Sequence, residues 1–260
     1  MQYDTVHQVY FSATNTTKTV VETAASHLPG TKITHDLLRN AVTAPVTLPG
    51  NSLAVVGIPV YGGRVPPLVM QSIANLRGQN TPAIAVAVYG NREYEDALLE
   101  LVQTLSANGF AVIGAAAFIA QHSIFPQVAT GRPDAADLDR IAEFATACAR
   151  KLEALPSLAS VPSVTVKGNI PYREFSAGGL KPSIDESCTL CGECVDVCPA
   201  KALRIDGNTL ARDNASCIAC AACIVTCPMG AQAFRGPQYD AFGEKFAANF
   251  SARKEPEVFV

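Results

Sequence analysis

The sequence predicts an α/β protein: a three-layer sandwich on a parallel sheet over residues 1–155, followed by a small cysteine-rich α+β unit over 185–236. Three observations carry this. Short apolar runs rich in Val, Ile and Ala alternate with helix-patterned segments through the first 155 residues. Eight of the nine cysteines fall in two copies of C-x2-C-x2-C-x3-C-P near the C-terminus. Between them, a stretch rich in Pro and Gly has no helical period, and a chain of 260 residues favours two domains.

In chain order, residues 6–11, 53–60, 83–89 and 110–120 read as strands buried on both faces, because their apolar character is continuous rather than alternating. Residues 31–36 form a weaker, more polar run. The intervening segments 17–28, 67–76, 95–107 and 134–155 repeat apolar residues at helical spacing. Residues 156–184 carry Pro156, Pro162, Pro171, Pro182, Gly168, Gly178 and Gly179, marking a linker or wrapping segment. Its Val164, Val166, Tyr172 and Phe175 are more apolar than a free tether needs, so we expect it to pack on the first domain. Residues 237–260 read as a helical tail. Phe242, Phe246 and Phe250 recur every four residues, which fits core packing, with a partner-docking face as the alternative.

Composition narrows the classes. Twenty basic against 23 acidic residues give a net charge of −3, with no broad positive field for nucleic acid. The longest apolar run, 110–120, is short of the ~20 residues of a membrane-spanning helix, so a soluble chain without a membrane span is expected. Nine cysteines without a hydrophobic N-terminal signal suggest a reduced, cytoplasmic setting. Cys148, in an apolar helical stretch, reads as an inert buried thiol.

The first cysteine run is Cys188, Cys191, Cys194 and Cys198-Pro199; the second is Cys217, Cys220, Cys223 and Cys227-Pro228, 29 residues on. A cubane cluster needs four thiolates converging on one small volume, and a tight turn with a ligand every third residue presents three of them on one side. This spacing is that of two [4Fe-4S] clusters, the fourth cysteine of each run ligating the other cluster. By that crossing rule one cluster takes Cys188, Cys191, Cys194 and Cys227, and the other Cys198, Cys217, Cys220 and Cys223. Zinc is the alternative, but zinc ribbons pair two C-x-x-C units across a longer loop and need no third cysteine or trailing Cys-Pro.

Ligands on an open α/β sheet bind at the carboxyl ends of strands near a switch point. Ser12 to Lys18 follow the first strand with small polar residues before a helix, suited to wrapping a phosphate; an ordinary N-cap is the other reading. The 53–60 run ends in Tyr61-Gly62-Gly63-Arg64 and the 83–89 run in Tyr89-Gly90-Asn91-Arg92-Glu93-Tyr94, each an aromatic face beside glycine-containing backbone. Together the three loops favour a flavin mononucleotide site. His122, after the last strand, is either a cofactor-edge proton donor or simply a polar strand terminus. His7, His27 and His35 look like surface or core-edge residues. No G-x-G-x-x-G occurs, so a separate dinucleotide site has no support.

On F-S-A-T-N-T-T-K-T-V from Phe11, V-Y-G-G-R from Val60, Y-G-N-R-E-Y-E-D-A-L from Tyr89 and the two cysteine runs, the chain resembles flavodoxins, and more closely the fused flavodoxin-ferredoxin proteins of anaerobic and facultative microbes. The resemblance spans nearly the whole chain. It implies strand order 2-1-3-4-5, a bacterial ferredoxin-like second domain and bound FMN. Ser12, Thr14, Asn15, Thr16 and Thr17 would hold the phosphate, and Tyr61, Gly62, Tyr89, Gly90, Asn91 and Tyr94 would surround the isoalloxazine. Asn15 stands where the family usually has a second glycine, and asparagine tolerates the left-handed backbone that glycine supplies. The chain has no Trp, so tyrosine must replace the tryptophan often stacked on such flavins. The expected function is electron transfer between the clusters and FMN, with redox partner proteins as donor and acceptor. A flavin reductase of a small organic acceptor and a redox-responsive docking module are the alternatives.

Overall fold

The apolar runs become neighbouring parallel strands in the computed structural model, which describes residues 3–158 and 161–260. Residues 1 and 2 of the first expected domain, and 159 and 160 of the expected linker, lie outside the described residues. The first domain runs β1 (Thr5–Tyr10), α1 (Thr16–Ser26), β2 (Thr31–Asp36), β3 (Val46–Leu48), β4 (Ser52–Pro59), α2 (Pro67–Ala74), β5 (Leu76–Gly78), β6 (Thr81–Tyr89), α3 (Ala97–Ala107), β7 (Phe110–Ile119) and α4 (Ala135–Ala154). The main sheet orders its parallel strands β2-β1-β4-β6-β7. Leaving aside the small β3-β5 pair, this is the 2-1-3-4-5 order of the flavodoxin-like fold.

Strand periodicity splits the core into two layers. Along β4, Leu53 and Val55 face the layer of α1 and α4, while Ala54, Val56 and Ile58 face the layer containing α2 and α3. Ile84, Val86 and Val88 of β6 join the first layer, and Ala83, Ala85, Ala87 and Tyr89 the second. Burial on both faces explains why these runs are continuously apolar. The polar run at β2 is the sheet edge, where Ile33 is 43% exposed. Small residues set the layer spacing: a β-carbon on Gly114 of β7 would collide with the Cys148 sulfur of α4. Asp134 and Asp137 form a capping box at the start of α4, and the buried Asp137 also accepts two hydrogen bonds from the Arg132 guanidinium.

The second unit comprises β8 (Ser183–Ile184), α5 (Glu193–Val197), β9 (Leu203–Asp206), β10 (Thr209–Arg212), α6 (Ala222–Thr226) and β11 (Gln232–Ala233). Antiparallel pairing of β8 with β11 joins the beginning and end of the double repeat. The backbone repeats with the sequence: left-handed residues occur at Leu190, Gly192 and Lys201, and again 29 residues on at Ala219, Ala221 and Gly230.

The tail departs from its expectation. It is helical over α7 (Pro237–Phe250), but β12 (Glu257–Phe259) then pairs antiparallel with Ala115–Ala117 and covers the β7 edge of the sheet. A three-residue strand is too short to register as a period in sequence. The phenylalanine stripe is also corrected: only Gly243 of α7 is buried, and Phe242 is 54% exposed. Phe242 stacks on Phe125, Phe246 packs against it at a tilt and also meets His122, so the stripe covers a strand-end loop instead of entering the core. No helix among the described residues is long and apolar enough to cross a membrane.

Candidate functional site

The carboxyl ends of β1, β4, β6 and β7 enclose one cleft, which brings Thr14, Thr16 and Thr17 together with Tyr61, Tyr89, Gly90 and His122. Ser12 turns its hydroxyl inward to accept the backbone N–H of Lys18 at 3.0 Å, tying the loop to the first turn of α1. Asn15 caps that helix in the left-handed region (φ 65°), the conformation for which it stands in place of glycine. Thr14 and Thr16 approach through their hydroxyls at 3.4 Å. The backbone N–H groups of residues 13 to 17 meet no acceptor among the described residues. A row of free amides at a helix N-terminus is a cradle for an anion. Behind the loop, Lys18 and Arg39 line a cleft of about 390 Å³ shared with Val197 and Val225 of the cysteine unit.

The ring-side residues divide. Tyr61 is half-buried at the cleft, and burial, followed by the charge of the Cys220 sulfur, raises its phenol well above the usual range. Gly62 (φ 59°) lies beneath Ser176, whose carbonyl occupies the space a side chain would need. Tyr89 lines the cleft and meets Tyr94 edge-on, with ring centroids 5.5 Å apart. Gly90 is required by a neighbour, since a β-carbon there would lie 2.5 Å from the His122 ring.

Asn91 and Tyr94 depart from the ring-contact expectation. The Asn91 amide donates to the carbonyls of Phe250 (2.7 Å) and Ala252 (2.8 Å). Tyr94, fully buried, donates its hydroxyl to Glu257 at 3.0 Å. Both side chains anchor the C-terminal tail, whose residues lie about 160 positions away in sequence, so nothing local to the Tyr89 loop revealed the role. Gln121 and Ser123 line the cleft beside His122 and were not singled out by sequence.

His122 is a neutral acceptor in this arrangement. Its Nδ1 receives the backbone N–H of Ile124 (3.2 Å) and Phe125 (3.1 Å). Burial, and secondarily the charge of Arg92, pulls its pKa down to about 4. It sits at the border of the cleft and of a larger groove of about 420 Å³.

The eight cysteines ring two cavities in the crossed grouping. Cys188, Cys191, Cys194 and Cys227 surround one; Cys198, Cys217, Cys220 and Cys223 surround another. The first is the outer site, with Cys191 exposed and Met229 51% exposed at its rim. The second is the inner site: Cys220 and Ala222 belong to the same apolar cluster as the sheet, and Ile218 and Ala219 line the groove together with Tyr61 and Gly62. Among the described residues, no three His, Cys, Asp or Glu side chains converge as a single-ion site.

Residues 161–182 hold the two units in place. The buried Asp96 carboxylate accepts the backbone N–H of Asn169 (2.8 Å) and of Arg173 (2.7 Å), and the Asn169 side chain at 3.3 Å. Arg64, paired with Glu100 at 2.7 Å, donates to the Arg173 carbonyl and lies over the Tyr172 ring. Farther along, Lys181 donates to the Cys217 carbonyl at 2.7 Å, linking the segment to the inner site. Neither Asp96 nor Lys181 belongs to a motif; only the apolar content of the segment signalled docking.

Residues 187–231 match the family of 4Fe-4S dicluster domains. Among solved structures, the chain is similar to a flavodoxin from Streptococcus pneumoniae TIGR4 (16% identity, 56% of this chain and 99% of that one, TM-score 0.42). It is also similar to a flavodoxin from the domain Archaea (15% identity, 57% and 99%, TM-score 0.37). A third likeness is to the rubredoxin oxygen:oxidoreductase of Desulfovibrio gigas (17% identity, 59% of this chain, TM-score 0.43), of whose length the chain spans 37%. At these scores the likenesses add nothing to the strand order, which carries the fold assignment by itself. No curated protein matches the sequence.

Proposed function

We propose that this chain is an electron-transfer protein that relays single electrons between two [4Fe-4S] clusters and a bound FMN. The observation that carries the reading is the position of the inner cysteine site, whose Ile218-Ala219-Cys220 turn abuts Tyr61 at the mouth of the strand-end cleft. When bound, the clusters supply one-electron steps and the flavin one- or two-electron chemistry.

The residues present fit both groups. Free amides at 13 to 17, the left-handed Asn15 and the hydroxyls of Ser12, Thr14, Thr16 and Thr17 suit a phosphate, with Lys18 and Arg39 adding positive charge. Tyr61, Gly62, Tyr89 and Gly90 remain as the ring contacts, without Asn91 and Tyr94. At the clusters, Cys188, Cys191, Cys194 and Cys227 would hold the outer one and Cys198, Cys217, Cys220 and Cys223 the inner one. Around the inner set, Ala202 N–H donates to the Cys198 sulfur at 3.3 Å. The exposed outer site faces redox partner proteins, the inner site faces the flavin, and residues 161–182 keep that spacing fixed.

The test is reduction of bound FMN by a donor that delivers electrons only to clusters. Cys220→Ser and Cys191→Ser should each abolish it while leaving FMN content intact. Unchanged rates in both would remove the relay.

A second reading, an FMN-dependent reductase of a small organic acceptor fed through the clusters, is favoured by the groove beside His122. Its walls include Phe125, Phe242 and Phe246, and its volume of about 420 Å³ lies within the range of small-molecule pockets. Quinone turnover no faster than that of free FMN would count against it.

A further inference from the structure

The two cysteine sites repeat in sequence and backbone but differ in charge. Arg212, at the end of β10, directs its guanidinium at the inner sulfurs: Nη1 lies 3.7 Å from both Cys217 Sγ and Cys223 Sγ, and Nη2 lies 3.9 Å from Cys223 Sγ. Its Nε is buried without a hydrogen-bond partner. Nη2 also donates to Gln232 Oε1. Gln232 lines the outer cavity, and its own Nε2 is a second buried donor without a partner. Buried donors left unpaired are costly, so two of them bordering two cysteine cavities point to acceptors that complete each site.

The repeat shows that this pair is not part of the shared scaffold. Shifting by 29 residues, Arg212 corresponds to Ser183 and Gln232 to Leu203. The lining of the outer cavity contains Glu193 and no Lys or Arg, whereas the inner lining contains Arg212.

We infer that Arg212, steadied by Gln232, sets the direction of electron flow by making the inner cluster the easier of the two to reduce. The inference rests on the relay reading above. A cluster held by four thiolates gains one negative charge on accepting an electron, and a half-buried guanidinium with N–H groups aimed at its sulfurs favours that state. The step is a single electron leaving the outer site and arriving at the inner one, with no bond made or broken and no proton required. Gln232 contributes one neutral N–H to the outer site and orients the guanidinium toward the inner site. Arg212 is thus a positioning and tuning residue, acting through charge on a ligand set it does not join.

The test is a reductive titration of the intact holoprotein, followed by paramagnetic resonance, for the wild type, Arg212→Gln and Arg212→Lys, with iron and sulfide assayed in each. In Arg212→Gln the potential of one cluster should fall by about 59 mV or more, a tenfold change in its one-electron equilibrium, while the other moves by less than half as much. Arg212→Lys keeps the charge but loses the fork, and should shift the same cluster in the same direction by about threefold in equilibrium. If the glutamine variant fails to assemble, the lysine variant decides. Two intact clusters with unchanged potentials in an assembled variant would overturn the role of Arg212 and leave the relay standing. A wild-type protein without two distinct clusters would overturn both.

Discussion

Replacing Asp96 with alanine should release the segment that holds the cysteine unit against the strand-end cleft. Asp96 is 1% exposed and accepts two short backbone hydrogen bonds, from Asn169 at 2.8 Å and Arg173 at 2.7 Å. Hydrogen bonds to a charged acceptor contribute roughly 1.5–3 kcal/mol each, so losing both should cost about 3–5 kcal/mol of docking. With tenfold per 1.4 kcal/mol, the open segment becomes about a hundred- to a few thousandfold more populated. Asp96 makes no side-chain cap at the start of α3, so the helix itself should be spared. The assay is hydrogen exchange at the Asn169 and Arg173 amides, with limited proteolysis near the 72% exposed Ile170. Asp96→Asn, which keeps an acceptor without the charge, should fall between the two. Exchange within threefold of wild type in Asp96→Ala would refute the anchoring role. The carboxylate should also make docking sensitive to acid. Burial pushes its pKa up, but the Arg173 and Asn169 amides and Arg64 outweigh this and leave it below the ordinary value. A depressed carboxylate favours the docked state at neutral pH, and that contribution should be lost only as pH falls below the usual carboxylate range.

Three further outcomes are expected. Asn15→Gly should keep FMN affinity, and Asn15→Val should weaken it about tenfold or more, because a β-branched residue is strained at φ 65°; fluorescence titration of the flavin reads this directly. His122 should remain neutral down to about pH 4, and since its folded pKa lies below the ordinary 6.5, stability present above 6.5 should decline as pH falls from 6.5 toward 4. The loss should be on the order of 3 kcal/mol by that shift, and urea unfolding at several pH values should show a flatter profile in His122→Asn. Gly114→Ala should cost about 1–3 kcal/mol through collision with Cys148, and Cys148→Ala should recover much of it in the double variant. Additive effects in that cycle would deny the contact.

Continuous apolar runs made the buried strands legible, because β4 and β6 are covered on both faces, and the polar run at β2 was weak because it is the sheet edge. The cysteine spacing identified the dicluster unit for the same kind of reason: the ligands are local in sequence within each run. What the sequence hid depends on distant contacts. Asn91 and Tyr94 resemble ring contacts until the tail returns to bond them, and Arg212 lies outside the C-x-x-C pattern although its guanidinium reaches two of the sulfurs. The aromatic stripe of α7 has the period of a core helix, yet it lies on Phe125 and His122 at the groove, a destination set by where the tail crosses the strand ends.

One chain is expected to hold two clusters and a flavin in electronic contact. The most direct measurement is anaerobic purification, assay of iron, sulfide and FMN per chain, and stepwise reduction followed by visible absorbance and paramagnetic resonance. Close to eight irons and one FMN, filling in an equilibrating sequence, is the expected result. Two clusters without flavin, or a flavin that does not equilibrate with the clusters, would contradict it.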